Sequence, residues 1–161
     1  MITLHRILVP LDGSDLSERA LPLAAALAQK FGSEITLLRV LEGPSQAWGM
    51  NFPENHWLRE ALQFSHREAQ TYLESKCAEL AGQEIHARVL VRDESPAEDI
   101  LAVAADGEID LIVMSSHGQG GPSPWTAGSV ADKVMQHSPC PVLLVRQRPE
   151  QVEVWSNLTS G

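Results

Sequence analysis

The sequence is short of cysteine, of clustered basic charge and of long apolar runs, and each shortage removes a class of function. Cys77 and Cys140 are the two cysteines in 161 residues, far apart and in neither C-x-x-C nor zinc spacing. They are expected as reduced, half-buried thiols rather than a disulfide. Lys and Arg number 12 against 21 Asp and Glu, a net charge of −9, with no basic cluster. A protein that follows a phosphate backbone wants the opposite sign, so nucleic acid is not an expected partner. A free nucleotide is a different case, because backbone N–H groups and a helix terminus hold its phosphates locally. No apolar run approaches the roughly 18 residues that span a bilayer, so no membrane partner is expected. The opening Met1-Ile2-Thr3-Leu4-His5-Arg6 lacks a signal-peptide pattern, and the expected location is the cytoplasm. His56, His66 and His86 are scattered and suggest no metal site.

What is present reads as a single soluble domain, 43% apolar and 20% charged. Strand and helix signals alternate from near the start to about Arg146. His5 to Pro10 is a short buried strand that stops at its proline. Ser14 or Asp15 can cap the next helix, with Glu18 placed to complete a box from Asp15. Leu16, Ala20, Leu23, Ala24, Leu27 and Phe31 recur at helical spacing, Gly32 ends the run, and Pro22 predicts a kink. Glu34 to Val40 is the second strand, and 42–54 a loop rich in Pro and Gly. A helix is expected over 55–80 with Leu58, Leu62, Ala69, Leu73 and Leu80 on its inner face, then a strand from Glu84 to Val91. Ser95-Pro96-Ala97-Glu98 is a capping box with proline at the first helical position, opening a helix to Asp106. Asp110 to Met114, a helix over 126–137 and Pro141 to Arg146 complete the pattern. The tail, 147–161, has no periodicity and is expected to be flexible.

Five strands alternating with four helices require parallel crossovers, hence an α/β doubly wound, Rossmann-like sheet with helices on both faces. The right-handed crossover rule makes 3-2-1-4-5 the natural order. In such a sheet a ligand belongs at the carboxyl ends of the strands where the winding reverses. Two segments meet there: Pro10 to Ser14 and Ser115 to Ser129.

The second segment carries Gly118, Gly120 and Gly121, which permit close approach of backbone to a ligand. Gly128-Ser129 follows at a helix N-terminus, where unpaired N–H groups and the dipole favour an anion. This reads as a phosphate cradle, or else as a surface loop with a serine helix cap. It is not a P-loop, since the chain has no Gly-Lys pair, and the Leu11-Asp12-Gly13-Ser14 turn has no G-x-G fingerprint.

The residues also resemble a known family. Universal stress proteins carry G-x2-G-x9-G-[ST] after their fourth strand. Here Ser115-Ser116-His117-Gly118, nine residues and Gly128-Ser129 fall in the same register, with Ser115 in place of the first glycine. The opening Ile7-Leu8-Val9-Pro10-Leu11-Asp12-Gly13-Ser14 is similar, as are Pro96-Ala97-Glu98-Asp99-Ile100 and the close from Gly128-Ser129-Val130-Ala131 to Pro139-Cys140-Pro141-Val142-Leu143-Leu144-Val145. The resemblance spans residues 3 to 146 and implies one domain over 1–146. It implies an adenine nucleotide, ATP or AMP, with magnesium entering on the phosphates. Asp12, after Pro10, would lie near the ribose or a metal-bridged phosphate, and the backbone of Val40 would meet adenine. Gly118, Gly128, Ser129 and Val130 would hold ribose and phosphates, with Ser115 and His117 beside them. It also implies a homodimer through the last strand, Pro141 to Arg146, and a terminal apolar strand does need covering. The spacer departs from the family in holding Pro122, Ser123, Pro124 and Trp125, and its prolines remove two N–H donors, so the triphosphate end should be held less well than the nucleoside end.

The function implied is a non-catalytic regulator or sensor in a stress response, read by a protein that the sequence does not name. A slow ATPase would need charge on the γ-phosphate, and the 115–129 loop holds neither Lys nor Arg. A ligand-free dimeric interaction module is a further alternative. A phosphoacceptor receiver would need an acidic pair where Asp12 stands alone.

Overall fold

The computed structural model describes residues 3–42, 56–118 and 128–146. The loop expected over 42–54 (past Glu42), Gly120, Gly121, the Pro122–Trp125 spacer and the tail from 147 lie outside the described residues.

Five parallel strands form one sheet: β1 (Arg6–Pro10), β2 (Glu34–Val40), β3 (Ala87–Arg92), β4 (Leu111–Ser115) and β5 (Val142–Val145). Their order is β3-β2-β1-β4-β5, the natural order under the crossover rule. Arg6↔Glu34 through Pro10↔Leu38 pairs β1 with β2, while Ile7↔Leu111 and Leu8↔Ile112 join β1 to β4. The helices are α1 (Asp15–Glu18), α2 (Ala20–Phe31), α3 (His56–Ala81), α4 (Pro96–Asp106) and α5 (Ser129–His137). Strand alternation sorts the core into two layers. Ile7, Val9, Ile35, Leu37 and Val113 pack beneath α2 and α3, against Ala20, Ala24, Ala28, Leu73 and Leu80. Leu8, Leu38, Ile112 and Met114 pack on the other face against Ile100, Val103, Ala131 and Val134 of α4 and α5. Each fully buried Ile or Leu contributes about 1.5–3 kcal/mol.

Local departures from the expected pattern have identifiable causes. The helix after β1 does not kink at Pro22 but breaks at Arg19, between α1 and α2. Pro22 offers no N–H to the carbonyl of Glu18, four residues earlier, and its ring crowds that oxygen, so the discontinuity appears upstream of the proline. The cap of α1 is Ser14, whose hydroxyl accepts from the Ser17 N–H. The Asp15–Glu18 box does not form. Glu18 turns instead to Tyr72 and Lys76 on α3. Gly32 ends α2 in the left-handed region (φ 69°, ψ 34°), as a C-terminal glycine should.

Strand β3 starts at Ala87, not Glu84, because Glu84 itself adopts φ 60° in the turn that closes α3. Asp110 precedes β4, its carboxylate accepting from the N–H groups of His5 (2.7 Å) and Arg6 (2.9 Å). Those bonds hold its carboxyl below the usual range. Ser95 is the N-cap of α4 with Pro96 next, yet its hydroxyl makes no cap bond. The Asp99 carboxylate takes the Glu94 N–H instead, at 3.1 Å. The helix expected from 126 is described from Ser129. Finally, Leu62 is 38% exposed and the buried positions of α3 begin at Ala69. A 26-residue helix is about 39 Å long whereas the six-residue β3 spans about 20 Å, so the first turns of α3 overhang the sheet. Among the described residues no helix is long and apolar enough to cross a membrane.

Candidate nucleotide cleft

Past β1 the chain turns sharply. The Leu11 N–H bonds to the Leu38 carbonyl at 2.8 Å, the last tie to β2. Asp12 then folds back on the turn it begins: its Oδ1 accepts from the Ser14 N–H at 2.9 Å and from the Ser14 hydroxyl. Gly13 makes the turn possible at φ 86°, a backbone state that side chains disfavour.

The β4 side approaches from across the winding reversal. Ser115 ends the strand at 9% exposure, and Ser116 bonds through its N–H to the Val145 carbonyl at 3.0 Å. The Ser116 carbonyl accepts from the Gly128 N–H at 2.8 Å, which pins together the two ends of the intervening loop. Two glycines permit these approaches. A Cβ on Gly118 would overlap Oδ2 of Asp12 and stand 2.9 Å from its Cγ, and one on Gly128 would lie 3.1 Å from the Ser116 carbonyl. His117 precedes Gly118, its Nδ1 2.9 Å from the Ser116 hydroxyl.

Gly128 is also the N-cap of α5 and makes no side-chain cap bond. The first intrahelical bond from this end is the Asp132 N–H to the Gly128 carbonyl, 2.9 Å. The N–H groups of Ser129, Val130 and Ala131 therefore stand at the positive end of the helix without an intrahelical partner. At the far side, the β2 ladder settles how Val40 presents its backbone. Leu38 faces β1 through the Leu11 bond, and Leu41 faces β3 through its 2.8 Å bond to Arg92. By alternation the N–H and C=O of Val40 face the β1 side. They lie two residues beyond the last pair, Pro10↔Leu38, and open above the strand end.

These elements enclose a cleft of about 560 Å³, in the range that holds a nucleotide-sized ligand. The residues that the resemblance placed at the site line it: Pro10, Asp12, Val40, Ser115, His117, Gly118, Gly128, Ser129 and Val130. Sequence reasoning did not anticipate Arg39, Glu42, Ile100 or Met114, which also line it. Strand alternation could have found Met114, which falls on the α4/α5 face beside Ile100. Arg39 had a signal too, as the one charge interrupting the apolar end of Glu34–Val40. Its guanidinium carbon stands 5.4 Å from the centre of the Tyr72 ring. Burial, then the hydrogen bond to Glu18, push the Tyr72 phenol far above its ordinary value, so it remains a donor at neutral pH. Among the described residues no three His, Cys, Asp or Glu gather as metal ligands.

Known proteins share this architecture. The sequence model of the universal stress protein family matches residues 3–146. Universal stress protein YxiE of Bacillus subtilis is 33% identical over 146 residues, covering 88% of this chain and 99% of that one. Universal stress protein UspA from Lactobacillus plantarum superposes with a TM-score of 0.78 at 25% identity, covering 91% of this chain and all of its own. At 17% and 20% identity the fold is still shared by a universal stress protein in complex with cAMP (TM-score 0.60) and by one from Archaeoglobus fulgidus in complex with dAMP (0.59). The chain belongs to the universal stress protein family.

Proposed function

We propose that the cleft binds an adenine nucleotide, ATP or AMP, and that the protein is a non-catalytic regulator whose surface changes with occupancy. The observation that carries this reading is that the outward-facing backbone of Val40 and the uncapped N-terminus of α5 line one cleft. A backbone N–H and C=O pair suits the edge of an adenine. Unpaired N–H groups at a helix terminus suit a phosphate. Asp12, after β1, which lies between β2 and β4 in the sheet, suits a ribose hydroxyl, and magnesium would enter on the phosphates. The two complexes of the shared fold, with cAMP and dAMP, support the same class of ligand.

Hydrolysis is not part of this reading. His117 is engaged with the Ser116 hydroxyl, and no Lys or Arg occupies the 115–129 loop. The family domain is taken to end near Arg146, and a second copy is taken to pair along β5, a sheet edge on which Leu143 is 36% exposed.

The deciding experiment releases whatever freshly purified protein carries, identifies it by mass, and titrates ATP, ADP and AMP with magnesium by calorimetry. Expected is bound adenine nucleotide or micromolar affinity, abolished in Asp12→Ala and Gly128→Val. No ligand and no binding at millimolar nucleotide would reject the reading and favour the ligand-free interaction module.

A further inference from the structure

Arg39 is a half-buried cation in the wall of the cleft. It is the penultimate residue of β2, and alternation carries its side chain to the α2/α3 face, with those of Ile35 and Leu37. One side of the guanidinium meets the Tyr72 ring, 5.4 Å from carbon to ring centre. Another abuts the turn after β1, since a Cβ on Gly13 would come within 2.5 Å of its Nη1 and 3.1 Å of its Cζ. Tyr72 is itself held, its hydroxyl donating to Glu18 at 2.8 Å, and Glu18 also pairs with Lys76 at 3.0 Å. The guanidinium is therefore fixed in place between an aromatic face and a glycine.

No acceptor meets this cation among the described residues. Among the described residues it makes no hydrogen bond and no ion pair. The nearby carboxylates are engaged elsewhere or turned to solvent: Glu18 holds Tyr72 and Lys76, Oδ1 of Asp12 holds Ser14, and Glu42 is exposed. Arginine is charged at every accessible pH and carries five donors in a planar fork. Withdrawing half of it from water without an acceptor is unfavourable, and an aromatic face does not satisfy the N–H edge. Such a preorganised, unpaired fork in a cleft matches an oxyanion held by two parallel bonds.

We infer that Arg39 is an anion-recognition residue of this cleft, a second contact for a phosphate-bearing ligand beside the N-terminus of α5, which makes the site select a nucleotide over its uncharged nucleoside. This rests on the nucleotide reading above and sharpens it. The two anion contacts rise from opposite faces of the sheet, so the phosphate groups are held from both sides of the strand ends.

The test is calorimetric titration of the full-length protein with adenosine, AMP and ATP at low and high salt, for the wild type, Arg39→Met and Arg39→Lys. Thermal melts establish that each variant folds. Methionine keeps the aliphatic packing on Tyr72, and lysine keeps the charge without the fork. Expected is a loss of about tenfold to a hundredfold in AMP or ATP affinity for Arg39→Met, with adenosine unchanged, a shallower salt dependence, and partial recovery in Arg39→Lys. Equal losses for ATP and adenosine, or an unchanged ATP affinity, would overturn the inference and leave the nucleotide reading standing. A wild type that binds neither ligand would reject the nucleotide reading, and the inference with it.

Discussion

Adding one methyl group at Gly118 probes the contact between the two loops that shape the cleft. Gly13 and Gly32 are the described glycines at positive φ, and Gly118 is not one of them, so the penalty of Gly118→Ala is steric and not conformational. The new Cβ would coincide with Oδ2 of Asp12 and approach its Cγ to 2.9 Å. Relief has two routes. If the carboxylate swings away, it gives up the Ser14 N–H at 2.9 Å and the Ser14 hydroxyl, in the turn that also caps α1. If the loop withdraws, a wall of the cleft moves. Either route costs about 1–3 kcal/mol, the usual range for overpacking a tight site. Urea unfolding of a double-mutant cycle measures it. Gly118→Ala should cost that much in the wild type and close to nothing in an Asp12→Ala background, where the carboxylate is gone. The same cost in both backgrounds would refute the steric argument. Gly32→Ala serves as a contrast: nothing lies within 4 Å of its added Cβ, so only the left-handed backbone state, about 1–2 kcal/mol, should register.

Leu73 is fully buried between α3 and the sheet, and Leu73→Ala should lower unfolding free energy by about 2–5 kcal/mol; a loss under about 1 kcal/mol would mean that α3 does not seal this layer. Stability should also fall at alkaline pH. Tyr72 ionises above its ordinary 10.0 because of burial and Glu18, so its contribution is whole below pH 10 and drains away as pH rises toward the folded value. Lys76, raised chiefly by its hydrogen bond to Glu18, loses its contribution in the same direction, above its ordinary 10.5. Urea midpoints taken across that range should fall for the wild type and fall less for Tyr72→Phe; an equally steep fall in both would contradict the assignment. Leu143→Glu on β5 should shift sedimentation from dimer to monomer while leaving the melting curve of the monomer unchanged, and a wild type that sediments as a monomer would dismiss the edge-pairing proposal.

Patterns that repeat along the chain were legible before the structure. The apolar strands, separated by helical periods, demanded parallel crossovers, and the handedness rule then left few orders, among them the observed one as the natural choice. Gly32 and Pro96 marked a helix end and a helix start because each has a backbone preference that acts locally. Competition between local devices was harder to read. Ser95 and Glu98 satisfied the spacing of a capping box, yet the Ser95 hydroxyl makes no cap bond, and the carboxylate that closes this turn is that of Asp99, on the Glu94 N–H one residue before the cap. The Asp15–Glu18 box lost in the same way, to partners 54 and 58 positions away, Tyr72 and Lys76, which no spacing rule connects to α1. Leu58 and Leu62 keep helical period with Leu73, but period alone does not say where the sheet beneath a helix ends. Arg39 carries no motif to mark it, since it reaches the cleft from a strand on the α2/α3 face and not from the glycine-rich loop.

The division of the interior into two layers has a consequence for how such a protein diverges. Because the sheet keeps the α2/α3 packing apart from the α4/α5 packing, a substitution on one side is accommodated without repacking the other. The overhanging half of α3, with Trp57 78% and Phe64 58% exposed, can therefore be rewritten freely, while the glycines and the helix end that frame the cleft stay under a separate constraint. A chain built on this scaffold can change the outer face of α3 while keeping the packing that frames its cleft.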